Sequence, residues 1–393
     1  MKPILPHPAL FLPLRRNMAR PAQATAKPLS QKDYFSVLDA LRFVLALWVA
    51  IGHFSMIPIF GSFDTGAGYW LMFKHLWRSA VFGTPAVIVF FVISGFCIHL
   101  PFCGAGKIPV ARYYLRRYTR ILIPVLGALI IYRWFAERQF TLWGEHSILW
   151  ESPLWSLACE EIYYAAYPFL RWLRNLFQWK VLLPVSFASS VVISLTHLHA
   201  GNWHVFGPLG TALILLPVWL LGCVLAEESI SPVAIVPRLS IWLWRFLAWF
   251  GCWTAEMLHF KLGISYTQTM VWFGVLAYLW VRQEIINGKE HPPKSWLAAA
   301  GAWSYSLYLM HTQGGVLYGW LHIPTLGLLA DWFIVMICSL VFAYGFYLLV
   351  ERPSHDLARK IKVSGPQNVK GLEKAALTLP STQSPLVKEA ARV

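Results

Sequence analysis

Charged residues are scarce in this chain. Asp, Glu, Lys and Arg make up 13% of its 393 residues, whereas hydrophobic residues make up 57%. A soluble domain typically carries about 25% charged residues, so the composition argues against a soluble enzyme and predicts a membrane protein. The formal net charge is +15. Because the basic residues lie in short segments between apolar runs, the charge fits membrane topology better than nucleic-acid binding, and we expect no nucleic-acid partner.

Cysteine is scarce as well, and its spacing carries no metal or disulfide pattern. The six cysteines are scattered, without a CxxC pair or zinc-finger spacing, so the sequence predicts neither a disulfide framework nor a metal site. A serine nucleophile of the G-x-S-x-G type has no support at Ser94-Gly95, since the flanking residues do not fit that motif. Close helix packing at Gly95 is the better interpretation.

Long apolar runs are what the chain has instead. Each run has about 17–23 residues, which is enough to cross the hydrocarbon core at about 1.5 Å per residue. The runs lie at residues 38–57, 80–101, 120–136, 155–172, 181–198, 208–226, 241–258, 264–281, 296–318 and 328–350. The sequence therefore predicts an all-α polytopic membrane protein with about ten transmembrane helices.

The basic residues also predict an orientation. With the N-terminus in the cytoplasm, most of the 33 Lys and Arg residues fall in inner segments, as the positive-inside rule requires. We therefore expect both termini to be cytoplasmic. We expect a transmembrane domain over residues 36–353, flanked by disordered segments at 1–35 and 354–393. Prolines interrupt the apolar run near the N-terminus and its Arg pair follows that run, unlike a cleaved signal peptide.

Two ionisable side chains share one face of the first predicted helix. Arg42 and His53 are eleven residues apart, which places them on the same side and about 16 Å apart along the axis. An ionisable group in hydrocarbon is costly, so it marks a candidate functional site. The alternatives are an interfacial ion pair between Asp39 and Arg42 and a helix–helix hydrogen bond made by His53.

Further ionisable groups lie at matching depths in other predicted helices. Glu160 and His311 are placed near the outer ends of the fourth and ninth spans, so we expect them to share the outer third of the membrane with His53. An interfacial position for Glu160 and a purely structural His311 stay open as alternatives. The basic side chains expected in the inner third are Arg42, Arg116, Arg117 and Arg120.

Several short motifs occur in a fixed order along the chain. They are the Arg42-x10-His53 pair, residues 90–96 (FFVISGF), 116–120 (RRYTR), 155–160 (WSLACE), 305–311 (YSLYLMH) and 351–353 (ERP). In this order and spacing the set resembles the acyltransferase-3 family of integral-membrane acyltransferases. The resemblance covers about residues 36–353.

The resemblance implies an O-acyltransferase in a membrane, in most cases the inner membrane of a bacterium. It implies transfer of an acyl group, usually acetyl, from acyl-CoA to a hydroxyl of a saccharide or glycolipid. From their chemistry and predicted depth, the residues that we expect to be catalytic are His53, Glu160 and His311. The residues that we expect to bind the acyl-CoA donor are Arg42, Arg116, Arg117 and Arg120.

The residue chemistry agrees with this expectation. An alcohol attacks a thioester poorly until a base removes its proton, and a His side chain can serve as that base or accept the acyl group itself. Arginine forks bind phosphate groups well, so a donor entering from the cytoplasm could extend its acyl end toward His53. The basic run at 116–120 could instead serve only as a topological anchor. The competing function is a transporter or flippase of a saccharide intermediate, which would also bury Arg, His and Glu.

Overall fold

The regular structure of this chain is helical throughout the ranges that the computed structural model describes. Those ranges are residues 31–54, 57–58, 68–78, 80–103, 108–135, 154–198, 203–230 and 239–361. The α-helices are α1 (Gln31–His53), α2 (Gly68–Arg78), α3 (Gly83–His99), α4 (Val110–Phe135), α5 (Trp155–Leu176), α6 (Trp179–Leu195), α7 (Gly207–Ile230), α8 (Ile241–Leu262), α9 (Tyr266–Glu290), α10 (Ser295–Ala300), α11 (Ser304–Met310), α12 (Gln313–Trp320), α13 (Leu328–Phe346) and α14 (Arg352–Lys360). The prediction of an all-α class is confirmed.

Within these ranges, five stretches are long and apolar enough to cross a membrane. They are Ser36–His53, Gly83–Phe102, Val110–Phe135, Gly207–Ile230 and Leu328–Lys360. The chain is thus a multi-pass membrane protein, while the ten-span count and the orientation stay predictions. Helices α5, α8 and α9 are also long, at 22, 22 and 25 residues, but their charged and polar side chains lower their mean hydropathy.

The ninth predicted span is divided into short helices. Residues 296–318 were expected to form one continuous helix, and that prediction is wrong. Helix α10 runs into a 3-10 turn at Gly301–Trp303, and α11 and α12 are separated by a turn at residues 311–312. Mean hydropathy over a window reports apolar content, and it does not detect a break between apolar helices. His311 therefore lies at the C-terminal end of α11.

Several other boundaries differ from the predicted ones. Helix α4 begins at Val110, so the arginines at 116–120 lie within its first three turns and do not open it. The helical structure also extends past both predicted domain boundaries, from Gln31 at the start of α1 to Lys360 at the end of α14. The rest of the two predicted terminal segments lies outside the described residues.

Helices α3 and α7 cross at the centre of the bundle with their backbones in near contact. A Cβ added at Gly95 would meet the carbonyl oxygen of Trp219, and one added at Gly222 would meet that of Val92. The interpretation of Gly95 as a packing residue is confirmed. The same crossing lets the Trp219 Nε1–H donate to Ser94 Oγ over 3.2 Å, which fixes one wall of the site described next.

Candidate active site

A cavity of about 710 Å³ opens among α1, α3, α4, α5, α11, the π-helical turn Tyr347–Glu351 and α14. Its volume lies in the range of about 300–1,000 Å³ that is usual for small-molecule sites. The predicted residues that line it are Arg42, Arg116, Arg117, Arg120 and Glu160. The structure therefore gathers the four arginines, which lie on two separate helices, around one space.

Two of these arginines are held by neighbours within the cavity wall. Arg42 Nη1 lies 3.7 Å from Asp39 Oδ1, so the predicted ion pair of α1 is present. The guanidinium carbon of Arg117 lies 4.6 Å from the centre of the Tyr164 ring, a cation–π distance. Arg116 is exposed. The two restrained guanidinium groups of α1 and α4 give the cavity a fixed positive wall that an anionic ligand would complement.

Arg120 joins a polar network formed by the π-helical turn after α13 and by α14. Arg120 Nε donates to His355 Nε2 over 3.2 Å, and that nitrogen lies 3.4 Å from Glu351 Oε1. Glu351 is 1% exposed and accepts hydrogen bonds from the backbone N–H and the hydroxyl of Ser306. Glu351 ends a π-helical turn, Tyr347–Glu351, an irregularity that is common at functional sites. The sequence signal here was the ERP motif at residues 351–353, directly after the last predicted span.

Glu160 is oriented by a chain of hydrogen bonds that begins at the α3–α7 crossing. An indole N–H can only donate, so Trp219 donates to Ser94 Oγ. Ser94 Oγ lies 3.0 Å from Tyr164 Oη, and Tyr164 donates to Glu160 Oε1. This direction leaves the carboxylate as the terminal acceptor. The FFVISGF motif thus provides a close-packing glycine and, in Ser94, a polar link to Glu160.

His53 and His311 form a direct pair whose hydrogen positions follow from their neighbours. His311 Nδ1 lies 2.8 Å from the carbonyl oxygen of Tyr308, so this nitrogen carries the hydrogen and His311 Nε2 is an acceptor. His53 Nδ1 lies 3.2 Å from that Nε2 and 2.9 Å from the Val49 carbonyl oxygen. Because both neighbours accept, His53 Nδ1 carries the hydrogen, and His53 Nε2 keeps its lone pair.

The histidine pair lies outside the lining of the cavity to which Glu160 belongs. Among the described residues, the lining of the cavity includes Glu160 and Tyr308 but neither histidine. The Tyr308 ring lies 6.3 Å from that of His311, and its hydroxyl is 2.5 Å from Ser156 Oγ. We expected the three catalytic groups at a common depth, in the outer third of the membrane. The structure brings His53 and His311 together, and Tyr308, which lines the cavity of Glu160, adjoins this pair.

The comparison with protein families bears on this arrangement directly. A family model described as an acyltransferase domain matches residues 35–348. The chain belongs to the acyltransferase-3 family. Neither a search of curated proteins nor a search of solved structures found a match. The match includes every helix that contributes Arg42, Glu160 and the histidine pair, so these groups belong to the core of a membrane acyltransferase.

Across the portion of the chain that the structure describes, no three His, Cys, Asp or Glu side chains are placed to hold a metal ion together. What this acyltransferase does present is a neutral imidazole with a defined tautomer. His53 is exposed and His311 is fully buried. The exposed ring is therefore the one that a reactant can touch, and the buried ring positions it.

We expect His311→Ala to lower kcat of the acyltransferase by about 10- to 100-fold. This loss corresponds to about 1.4–2.7 kcal/mol of transition-state stabilisation that His311 provides through its coupling to His53. The substitution removes one acceptor of the His53 Nδ1–H, while the Val49 carbonyl remains. KM for donor and acceptor should change little. Steady-state kinetics of both single variants and the double variant measure this coupling. A double variant much slower than His53→Ala alone would contradict the positioning role.

Proposed function

We propose that this acyltransferase transfers an acyl group, most simply acetyl, from cytoplasmic acyl-CoA to a hydroxyl of an extracytoplasmic glycan or glycolipid. The observation that carries the proposal is that a phosphate-binding type of cavity and a basic imidazole nitrogen lie on either side of Tyr308. An arginine-lined cavity lies on one side, and the base nitrogen of His53 lies on the other. A donor with phosphates at one end and a thioester at the other matches this order.

The reaction needs a base for the hydroxyl and a path for the thioester. His53 Nε2 removes the proton of the acceptor hydroxyl as its oxygen attacks the thioester carbonyl carbon. The C–O bond forms, the C–S bond breaks, and the proton passes from the imidazolium to the leaving thiolate. A covalent route would use the same nitrogen as the nucleophile and give an acyl-imidazole first. In either route the acyl end must pass the Tyr308 ring, so movement of that side chain belongs to the mechanism.

The decisive experiment is direct acyl transfer by purified protein in lipid nanodiscs. We expect radiolabel from [14C]acetyl-CoA to appear on a glycan or glycolipid acceptor and free CoA to be released in equal amount. His53→Ala protein serves as the control for non-enzymatic transfer. A transporter or flippase would instead move a labelled saccharide across proteoliposomes without acyl-CoA, and that result in place of acyl transfer would overturn the proposal.

The proposed direction of transfer requires the predicted orientation. We expect a fluorescent protein fused after Val393 to be fluorescent and an alkaline phosphatase fused there to be inactive, because both report a cytoplasmic C-terminus. The basis is the placement of most Lys and Arg residues on one side. Fusions of the two reporters at the same residue control for expression. An active phosphatase fusion would reverse the orientation, and the arginine cavity would then face the wrong compartment for a cytoplasmic donor.

Arg120→Lys is expected to weaken donor affinity by about 10-fold while leaving acceptor affinity nearly unchanged. Lysine keeps the positive charge but loses the planar fork that binds phosphate bidentately. Arg120 also donates to His355, a geometry that an ammonium group cannot reproduce. Arg282→Lys, at an ion pair with Glu228 outside the cavity, is the matched control. Donor titrations of the two variants in detergent measure the difference, and equal affinities would favour a purely topological role for Arg120.

A further inference from the structure

A second, smaller cavity adjoins the arginine cavity on the side of α14. It has a volume of about 250 Å³. The two cavities share the residues Asp39, Arg42, Arg120, Glu351 and His355. Arg352, Asp356 and Arg359 of α14 line only the second cavity. Helix α14 starts at Arg352, four residues beyond the end of the family-model match at residue 348.

The charges around this cavity leave a cationic surplus. Asp39 pairs with Arg42, and Asp356 pairs with Arg359 over 3.3 Å. The buried Glu351 accepts two hydrogen bonds from Ser306, so each carboxylate already has a partner.

Two guanidinium groups remain, those of Arg120 and Arg352. Within the described part of the chain, neither of them forms an ion pair with a carboxylate. They face one small space across the cavity. Two guanidinium groups without a carboxylate partner, around a space of this size, suit a compact anion with several acceptor oxygens, such as a phosphate group.

We propose that the second cavity binds phosphate groups at the nucleotide end of the acyl-CoA donor, with Arg352 of α14 as a phosphate ligand. This inference rests on the proposed function. Arg42 and Arg120 line both spaces, so the two cavities adjoin, and an elongated molecule that passes these side chains would occupy both. Its phosphates then lie beside α14, and its pantetheine arm runs through the larger cavity toward Tyr308.

The test measures binding of adenosine 3′,5′-bisphosphate, the nucleotide fragment of CoA, to the full-length protein in nanodiscs. We expect Arg352→Gln to weaken this binding by about 10-fold, because one charge-assisted phosphate contact is lost. Lys360→Gln removes the same charge from the same helix at an exposed residue outside both cavities, and its affinity should match wild type. Affinity for acetyl-pantetheine, which lacks the nucleotide, should be equal in all three proteins.

Two outcomes would overturn the inference. Equal weakening by both substitutions would indicate a general charge effect. If binding of the bisphosphate is abolished by anionic phospholipid in the nanodisc and restored in neutral lipid, the cavity is a lipid-headgroup site. Failure of the proposed function is distinguishable from either result. Specific bisphosphate binding without acyl transfer would contradict the acyltransferase reaction proposed above. Acyl transfer with normal acetyl-CoA affinity in Arg352→Gln would contradict only the proposed phosphate site at α14.

Discussion

His53→Ala is expected to abolish acyl transfer, with a loss of about 10²- to 10⁴-fold in kcat, the range usual for removal of a general base. The reason is the tautomer. Val49 and His311 both accept from Nδ1, so Nε2 of this exposed ring is the nitrogen with a free lone pair. Alanine leaves no group at that position. Single-turnover assays with labelled acetyl-CoA measure the effect on the chemical step, independent of product release.

The control for this prediction is a histidine away from the site. His291→Ala alters an exposed residue in the turn after α9 and should keep wild-type activity. Equal yields of both variants from the membrane fraction exclude a folding defect. Substantial acyl transfer by His53→Ala would rule out both the base and the acyl-histidine roles. Burst-phase labelling of wild type, but not of the variant, by acetyl-CoA alone would favour the covalent route.

Gly222→Ala is expected to destabilise the protein severely, although it adds a single methyl group. That Cβ would meet the Val92 carbonyl oxygen across the crossing of α3 and α7. A side chain can rotate away from an added methyl group, but a backbone carbonyl cannot, so the helices must separate. Overpacking typically costs about 1–3 kcal/mol, and we expect the upper end here. Thermal melting followed by size-exclusion chromatography in detergent measures it.

The matched control is Gly345→Ala in α13. A Cβ at Gly345 meets no neighbour within 4 Å, and alanine is about 1 kcal/mol more favourable than glycine in a helix. The melting temperature of this variant should equal or exceed that of wild type. Similar stability of the two variants would show that the close approach of α3 and α7 relaxes without cost. Activity should fall with Gly222→Ala as well, because the crossing also holds the Ser94 link to Glu160.

The sequence predicted the helical class, the four cavity arginines and the close packing at Gly95, because each depends on local properties. Apolar length predicts a helix, and basic residues beside apolar runs predict one membrane face. The Arg42-x10-His53 spacing placed both groups on α1 correctly. It could not predict the contact of His53 with His311, since 258 positions separate the two in the chain.

The errors have physical causes in the tertiary packing. Hydropathy treated residues 296–318 as one helix, whereas contacts with α1 favour short segments there, including the approach of Gly301 to Asp39. Equal depth placed Glu160 level with the histidines, but depth does not predict the direction that a side chain faces, and Tyr164 holds Glu160 at the arginine cavity. Tyr308, which adjoins both the cavity and the histidine pair, had no charge to mark it in the sequence.

The position of Tyr308 also bears on how the transmembrane voltage acts on the reaction. Under the proposed orientation, a cavity continuous with the cytoplasm reaches the Tyr308 ring, and the exposed His53 lies a short distance beyond it. A transmembrane voltage is worth about 2.3 kcal/mol per elementary charge for each 100 mV, and it normally falls over about 30 Å of hydrocarbon. If water fills the cavity from the cytoplasm and reaches His53 from the opposite side, that drop is concentrated around the Tyr308 ring. Under that condition we expect any step that moves a proton or a thiolate past Tyr308 to depend on membrane potential.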